Sequence, residues 1–265
     1  MGKEVFELIL CCLPAIAGMR PQPDLIMNNS VREKITCPSC GQTAIGLICR
    51  VITPDSPEFK LLFSGKLNVF SCASCGKSYQ VAVEQLIYRD SEHSFLLVQH
   101  QPPADTSEYG IIIQEVDAMA TEAAMLLKMP RPTVRLVFAR EDFLEKIALQ
   151  RRGFDDRLVE YAKFQLFQNT GGAALLPERH RLLYDFSRSD EEKLQFAVFD
   201  RQTHQVSAAL HLPQEDYHRM ALEFSVNEPL QKELERLFPD CLVSVDRLYP
   251  EGQSAVSPVE RTADD

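Results

Sequence analysis

Apolar residues recur at two different spacings along this 265-residue chain. From residue 31 to 103 they come in short runs, broken by turn formers such as Thr53-Pro54-Asp55-Ser56-Pro57 and Ser64-Gly65. Short runs rich in β-branched and aromatic residues between such breakers predict strands. The expected strands are Arg32–Thr36, Ile45–Val51, Lys66–Ser71, Tyr79–Val83, Leu86–Arg89 and Phe95–His100. Their alternation is imperfect, as befits a thin sheet built around a small centre. Gln101–Ser107 reads as a linker.

Beyond residue 108 the period lengthens. Val116, Ala120, Ala123, Ala124 and Leu127 fall at helical spacing in Val116–Lys128, which stops before Met129-Pro130-Arg131-Pro132. Val134–Phe138 is an expected strand. Glu141–Gln150 and Asp156–Gln168 are expected helices, the second opening beside two aspartates that suit a helix N-terminus. A turn at Asn169-Thr170-Gly171-Gly172 follows. Arg181–Phe186, Leu194–Phe199 and Gln205–Leu210 then read as strands, and Asp200–His204 as the turn between the last two. Gln214–Phe224 and Glu228–Phe238 read as helices, the second capped by Asn227 with Pro229 in its first turn. Leu230, Leu234, Leu237 and Phe238 form its apolar stripe, expected to pack on the domain's own sheet. Leu242–Leu248 is a candidate final strand. The predicted class is therefore α+β. A small β-rich domain (31–103) is followed by a mixed α+β domain (108–249), with an appendage at 1–30 and a polar, disordered tail at 250–265.

Charge narrows the function. The chain carries 28 basic and 38 acidic side chains. Residues 28–105 hold 7 of each, whereas residues 106–265 hold 19 basic and 28 acidic. Nucleic-acid binding draws most of its affinity from Lys and Arg on phosphates, and a neutral domain beside an acidic one lacks that footprint. Arg50, Lys60, Lys66 and Lys77 read as ordinary solvated residues. The N-terminal run Leu8–Ala17 is too short to span a bilayer. Lys3 before it and Ala15-Ile16-Ala17 after it resemble an export signal, but Glu4 and Glu7 argue against one. The expectation is a cytoplasmic protein; export is the alternative.

One feature specifies chemistry. Cys37-Pro38-Ser39-Cys40-Gly41 and Cys72-Ala73-Ser74-Cys75-Gly76 repeat one spelling 35 positions apart. Two thiolates at i and i+3 in a tight turn can address one ion, and two such turns complete a tetrahedral shell. Glycine after each second cysteine lets the chain reverse with positive φ while backbone N–H groups approach the sulfurs. The expectation is one structural Zn²⁺ per chain on Cys37, Cys40, Cys72 and Cys75. An iron–sulfur centre, a redox dithiol or a disulfide pairing stays open from the residues alone. Cys11, Cys12, Cys49 and Cys241 share no spacing with them and read as small apolar residues.

The segment Thr36–Pro102 resembles the CpXC family. The likeness rests on the two knuckles, on Phe63–Gly76 (FSGKLNVFSCASCG) and on Gln85–Asp90; Asp155–Lys163 looks like the helix that often follows. The resemblance implies the same four metal cysteines. It departs at Ala73, where the family name implies proline, a residue that stiffens the turn and ligates nothing. It implies a metal and a fold but no particular activity.

The chain shows no G-x-S-x-G, H-E-x-x-H, Walker or G-x-G-x-x-G motif. His93 and His100 read as exposed polar residues on a hairpin. His211 and His218 flank a helix start without a partnered carboxylate of compelling spacing, and Asp155-Asp156 reads as a cap. No catalytic or organic-cofactor residues are assigned. The leading expectation is a non-enzymatic protein-interaction module held by zinc. A nucleic-acid-binding ribbon, or an enzyme with an unrecognised site in the second domain, stands behind it.

Overall fold

The computed structural model describes residues 29–128, 130–169 and 175–249. The N-terminal run with Cys11 and Cys12, the turn at Thr170-Gly171-Gly172 and the tail from Pro250 lie outside the described residues. The fold is α+β.

Two small hairpins stand at one end. β1 (Ser30–Thr36) pairs antiparallel with β2 (Thr43–Cys49), and β4 (Val69–Ser71) with β5 (Ser78–Gln80). The apolar run expected to form a single strand to Val51 divides at Arg50. β2 ends at Cys49, and β3 (Val51–Ile52) joins a different sheet, parallel to β6 (Gln85–Asp90). The run expected from Lys66 starts as a strand only at Val69, because Asn68 sits in the left-handed region at φ 55°. Its side chain does a strand's work instead. Oδ1 accepts the Cys49 N–H and Nδ2 donates to the Cys49 carbonyl, both at 2.9 Å. A seven-residue helix, α1 (Pro57–Phe63), occupies part of what reads as a turn. Proline at the start of a helix lacks only an N–H that would have no partner there.

The central sheet runs β3-β6-β7-β8, with β7 (Phe95–His100) antiparallel to β6 and β8 (Thr133–Val137) parallel to β7. Both faces are covered, so its strands are continuous apolar runs with little alternation. On one face Val51, Ile87, Leu96, Val98, Val134 and Leu136 pack against Val116, Met119, Ala120 and Ala123 of α2 (Tyr109–Leu127). On the other, Leu86, Tyr88, Leu97 and Val137 pack against Leu62 of α1 and against Phe143 and Ile147 of α3 (Arg140–Arg151). The division expected at residues 103–108 falls inside this sheet. Three strands come before it, and β8 comes after a crossover through α2 that packs back on the sheet.

The remaining strands form an antiparallel meander, β11-β10-β9 (Val206–Pro213, Lys193–Asp200 and His180–Tyr184). One face is buried, and β10 accordingly alternates, with Leu194, Phe196, Val198 and Asp200 inward. Its core is shared with α3, with α4 (Asp156–Asn169), and with α5 (Gln214–Val226) and α6 (Glu228–Leu237). The stripe of α6 packs here, with Leu234 and Phe238 buried and Leu230 and Leu237 against them.

Leu242–Leu248 is no strand. Only Val245–Leu248 is regular, as a 3-10 turn. Leu242, Val243 and Val245 are buried in three different clusters, so the segment threads between layers. Side chains take up its backbone groups: Asp240 accepts the Leu242 N–H, Arg247 donates to the Leu242 carbonyl, and Glu160 Oε2 accepts the Val245 N–H at 2.8 Å.

Charged side chains cross the interior between the meander and the central sheet. Arg135 of β8 grips Asp156 through Nε and Nη2 at 2.7–2.9 Å. Lys146 reaches Asp156 at 3.0 Å and Glu160 at 3.2 Å. Lys163 bridges Glu160 at 2.9 Å and Glu145 at 2.7 Å. Each of these carboxylates faces a cation and each cation a carboxylate, which such burial requires.

Candidate metal centre

Each knuckle is the turn of one hairpin: Cys37–Gly41 joins β1 to β2, and Cys72–Gly76 joins β4 to β5. The two turns carry the same hydrogen bonds. Gly41 N–H donates to the Cys37 carbonyl at 2.9 Å, and Gly76 N–H to that of Cys72 at 2.8 Å. Cys37 and Cys72 donate in turn to Gln42 and Lys77, at 2.8 and 2.9 Å. Both glycines have positive φ, 73° and 71°, and provide the chain reversal that each turn requires.

The hairpins pack inner face to inner face, which brings the knuckles together. Gly46 of β2 lets Ile35 and the Phe70 ring lie where a Cβ would otherwise stand, and Phe70 packs on Tyr79 with centroids 6.5 Å apart. The sulfurs of Cys37, Cys40, Cys72 and Cys75 then all lie within 4.8 Å of one another. Contacts alternate between knuckles, Cys37 Sγ to Cys75 Sγ at 3.7 Å and Cys40 Sγ to Cys72 Sγ at 3.6 Å. Ligands at the corners of a tetrahedron of radius ~2.3 Å stand about 3.8 Å apart, so the set fits one tetrahedral ion with thiolate ligands.

The backbone favours thiolate at two positions. Cys72 is lowered to about 6, chiefly by the N–H groups of Cys75 and Ser74. Burial would raise Cys37, but the N–H groups of Ser39 and Cys40 outweigh it and its pKa is lowered. Cys40 receives a lowering bond from the Gln42 N–H, yet Cys72 and its own burial push it up to about 12. A bound cation replaces the shared thiol protons and reverses that penalty.

Cys49 is buried, its thiol donating to the Val51 carbonyl at 3.5 Å, and lies in the central core. Cys241 packs at the edge of the α2 cluster. Neither joins the four. His100 meets the Gln101 carbonyl, His180 accepts the Leu176 N–H, and His218 meets the Gln214 amide. Among the described residues no histidine joins a group of three metal-capable side chains. Arg50 pairs with Glu33 on the hairpin's inner side. Of the expected cap Asp155-Asp156, Asp155 does cap α4, its Oδ1 accepting the Arg157 N–H at 2.9 Å, whereas Asp156 anchors the buried charges, a role its cap-like position does not reveal. The available signal was Asp156, Glu160 and Lys163 at i, i+4 and i+7 on one helix face.

The fold and centre define an α+β protein in which two cysteine knuckles meet and could hold one metal ion. Residues 35–163 match the family model of the CpXC protein. The matched span runs past the knuckles through β8, α3 and most of α4, ending at Lys163. No match was found among curated proteins or among solved structures. No helix of the described residues is long and apolar enough to cross a membrane.

Proposed function

We propose that this protein is a zinc-stabilised, non-enzymatic module for protein–protein interaction. In this reading Cys37, Cys40, Cys72 and Cys75 hold one Zn²⁺ with Zn–S distances of about 2.3 Å, and the ion is structural because the set is closed. The observation that carries it is the four-sulfur cluster at 3.6–3.7 Å contacts between two turns that share one hydrogen-bond pattern. All-thiolate ligation suits zinc, and four protein ligands fill a tetrahedral shell without leaving an open catalytic position.

The metal would hold the β1–β2 hairpin, whose outer face is the second support. Arg32 faces Leu47 and Lys34 faces Ile45 across the strands. Ile45 is 72% and Leu47 60% exposed. Two exposed aliphatic side chains flanked by two cations suit a protein surface that is apolar and acidic. Two cations are too few for the salt-dependent phosphate binding that nucleic acid demands. The cytoplasm, with its reduced thiols, is the compartment that suits such a centre.

Elemental analysis with native mass spectrometry tests the metal: one zinc per chain is expected, and iron with a charge-transfer spectrum would overturn it. A photo-crosslinking residue in place of Ile45 tests the surface in cells. A defined protein adduct that disappears with Leu47→Asp supports the reading. Adducts to nucleic acid, with steeply salt-sensitive binding to DNA or RNA in a titration, would replace it with the ribbon alternative.

A further inference from the structure

A second site lies on the far side of the central sheet from α2, where the loop after α3 meets the starts of β7 and β8. It is a cavity of about 370 Å³, within the size range of small-molecule sites. Its floor is charged. Arg135 and Lys146 both line it, and the Lys146 side chain is only 3% exposed. Phe95 and Phe154 supply apolar walls, and Arg157 and His93 stand at the mouth. Arg135, Lys146 and Arg157 face Asp155 and Asp156, so the lining is net cationic in a chain of net charge −10.

His93 is anchored by Asp90. Its Nδ1 meets Asp90 Oδ2 at 2.9 Å, and its backbone N–H donates to Asp90 Oδ1 at 3.1 Å. Asp90 is buried, and Gln150 also donates to it at 3.1 Å. A carboxylate bonded to Nδ1 fixes the tautomer in which Nε2 carries the lone pair. That ring is 61% exposed, and among the described residues its Nε2 has no hydrogen-bond partner. The turn explains the bond from the backbone N–H. It does not require a histidine whose outer nitrogen stands at the mouth of a cavity floored by buried cations.

Donors remain for a ligand. Lys146 commits two N–H bonds, to Asp156 and Glu160, leaving its third. Arg157 spends Nε and Nη2 on Asp155, leaving Nη1. We propose that this cavity binds a small organic oxyanion, a carboxylate or phosphate monoester with an apolar body. Lys146 and Arg157 contact the oxyanion, Phe95 and Phe154 hold the body, and the imidazolium form of His93 donates an N–H hydrogen bond to the oxyanion from Nε2. The site is separate from the cysteine centre and does not rest on it.

The test follows the imidazole signals of the isotope-labelled full-length protein by NMR, with His93 assigned from His93→Gln. Phenyl phosphate and benzoate are added to about 10 mM, with inorganic phosphate as the headgroup alone. Saturable movement of the His93 ring is expected with both organic anions, because the oxyanion meets its Nε2. Arg157→Gln should weaken phenyl phosphate binding about fivefold, the loss of one charge-assisted bond at a half-exposed site. Should that variant unfold, His93→Gln, on an exposed hairpin turn, provides the same comparison by calorimetry. No movement of His93 would overturn the proposal. So would binding that inorganic phosphate reproduces and whose affinity by calorimetry neither variant changes.

Discussion

Lys163 and Glu145 meet inside the protein, Nζ to Oε1 at 2.7 Å, with the two side chains 2% and 3% exposed. The same Oε1 accepts the backbone N–H of Tyr184 at 2.6 Å, so one carboxylate ties α3, α4 and β9 together. Burial opposes the charge on Lys163, but Glu145 and Glu160 outweigh it, and its ammonium titrates above the ordinary lysine range.

Removing one partner leaves the other charge buried and incompletely paired. Lys163→Met is expected to cost about 3–5 kcal/mol in urea unfolding. Glu145→Gln in the same chain keeps the acceptor for Tyr184 and removes the orphaned charge. The double variant should therefore recover more than half of the loss. Additive costs would show that the pair is uncoupled.

Asp156 sets an acid limit. Burial would raise its pKa, but Lys146 and Arg135 hold it well below the usual carboxylate range. A depressed acid contributes stability that is fully present above its unfolded value, about 3.9, and is lost as pH falls towards the folded value. Glu160 is lowered too, by Lys146 and Lys163 against its burial, and adds a slope of the same sign. Unfolding free energy should therefore drop steeply below about pH 4. In Asp156→Asn that slope should be shallower without vanishing. An unchanged slope would remove Asp156 from the account.

Gly46 lets the two hairpins close on each other. A Cβ there would lie 2.7 Å from Ile35 Cδ1 and 2.9 Å from Phe70 Cε1. Gly46→Ala forces the Phe70 ring to move, at a cost of about 1–3 kcal/mol to the knuckle unit. Metal affinity measured by chelator competition should fall, while thermal unfolding of the central sheet should hold. Unchanged affinity would show that the packing is slack.

Cys72→Ser breaks the four-sulfur set. If the bound ion holds the hairpins, its loss is a loss of their folding free energy. Hydrogen exchange should quicken for Ile45–Ile48 of β2. Leu96–Val98 of β7 should stay protected, because β8 and α2 hold them from outside the knuckle unit. Equal loss across both segments would make the metal responsible for the whole CpXC region.

The cysteine centre was legible because its chemistry is local. Two residues at i and i+3 with a following glycine dictate their own turn, and each turn needs only its hairpin to form. Helices with a strong period, such as Asp156–Asn169, were legible for the same reason, as was Asn227 as a cap, accepting the Leu230 N–H. Residues 242–248 were misread because an apolar segment threading three clusters has the composition of a strand without a partner strand. Ile45–Val51 was misread because nothing local marks Arg50 as the point where a chain leaves one sheet for another.

By itself the sequence determined the α+β class, the four cysteines that could share an ion, and the acidic balance of the second half. Tertiary structure alone decided that β8 completes the sheet of β3, β6 and β7, and that Arg135, Lys146, Asp156, Glu160, Lys163 and Glu145 are joined inside the protein. Local patterns reveal what neighbouring residues require of one another. Residues up to 28 positions apart form this chain of charges, and its pairing depends on packing that brings β8, α3 and α4 together.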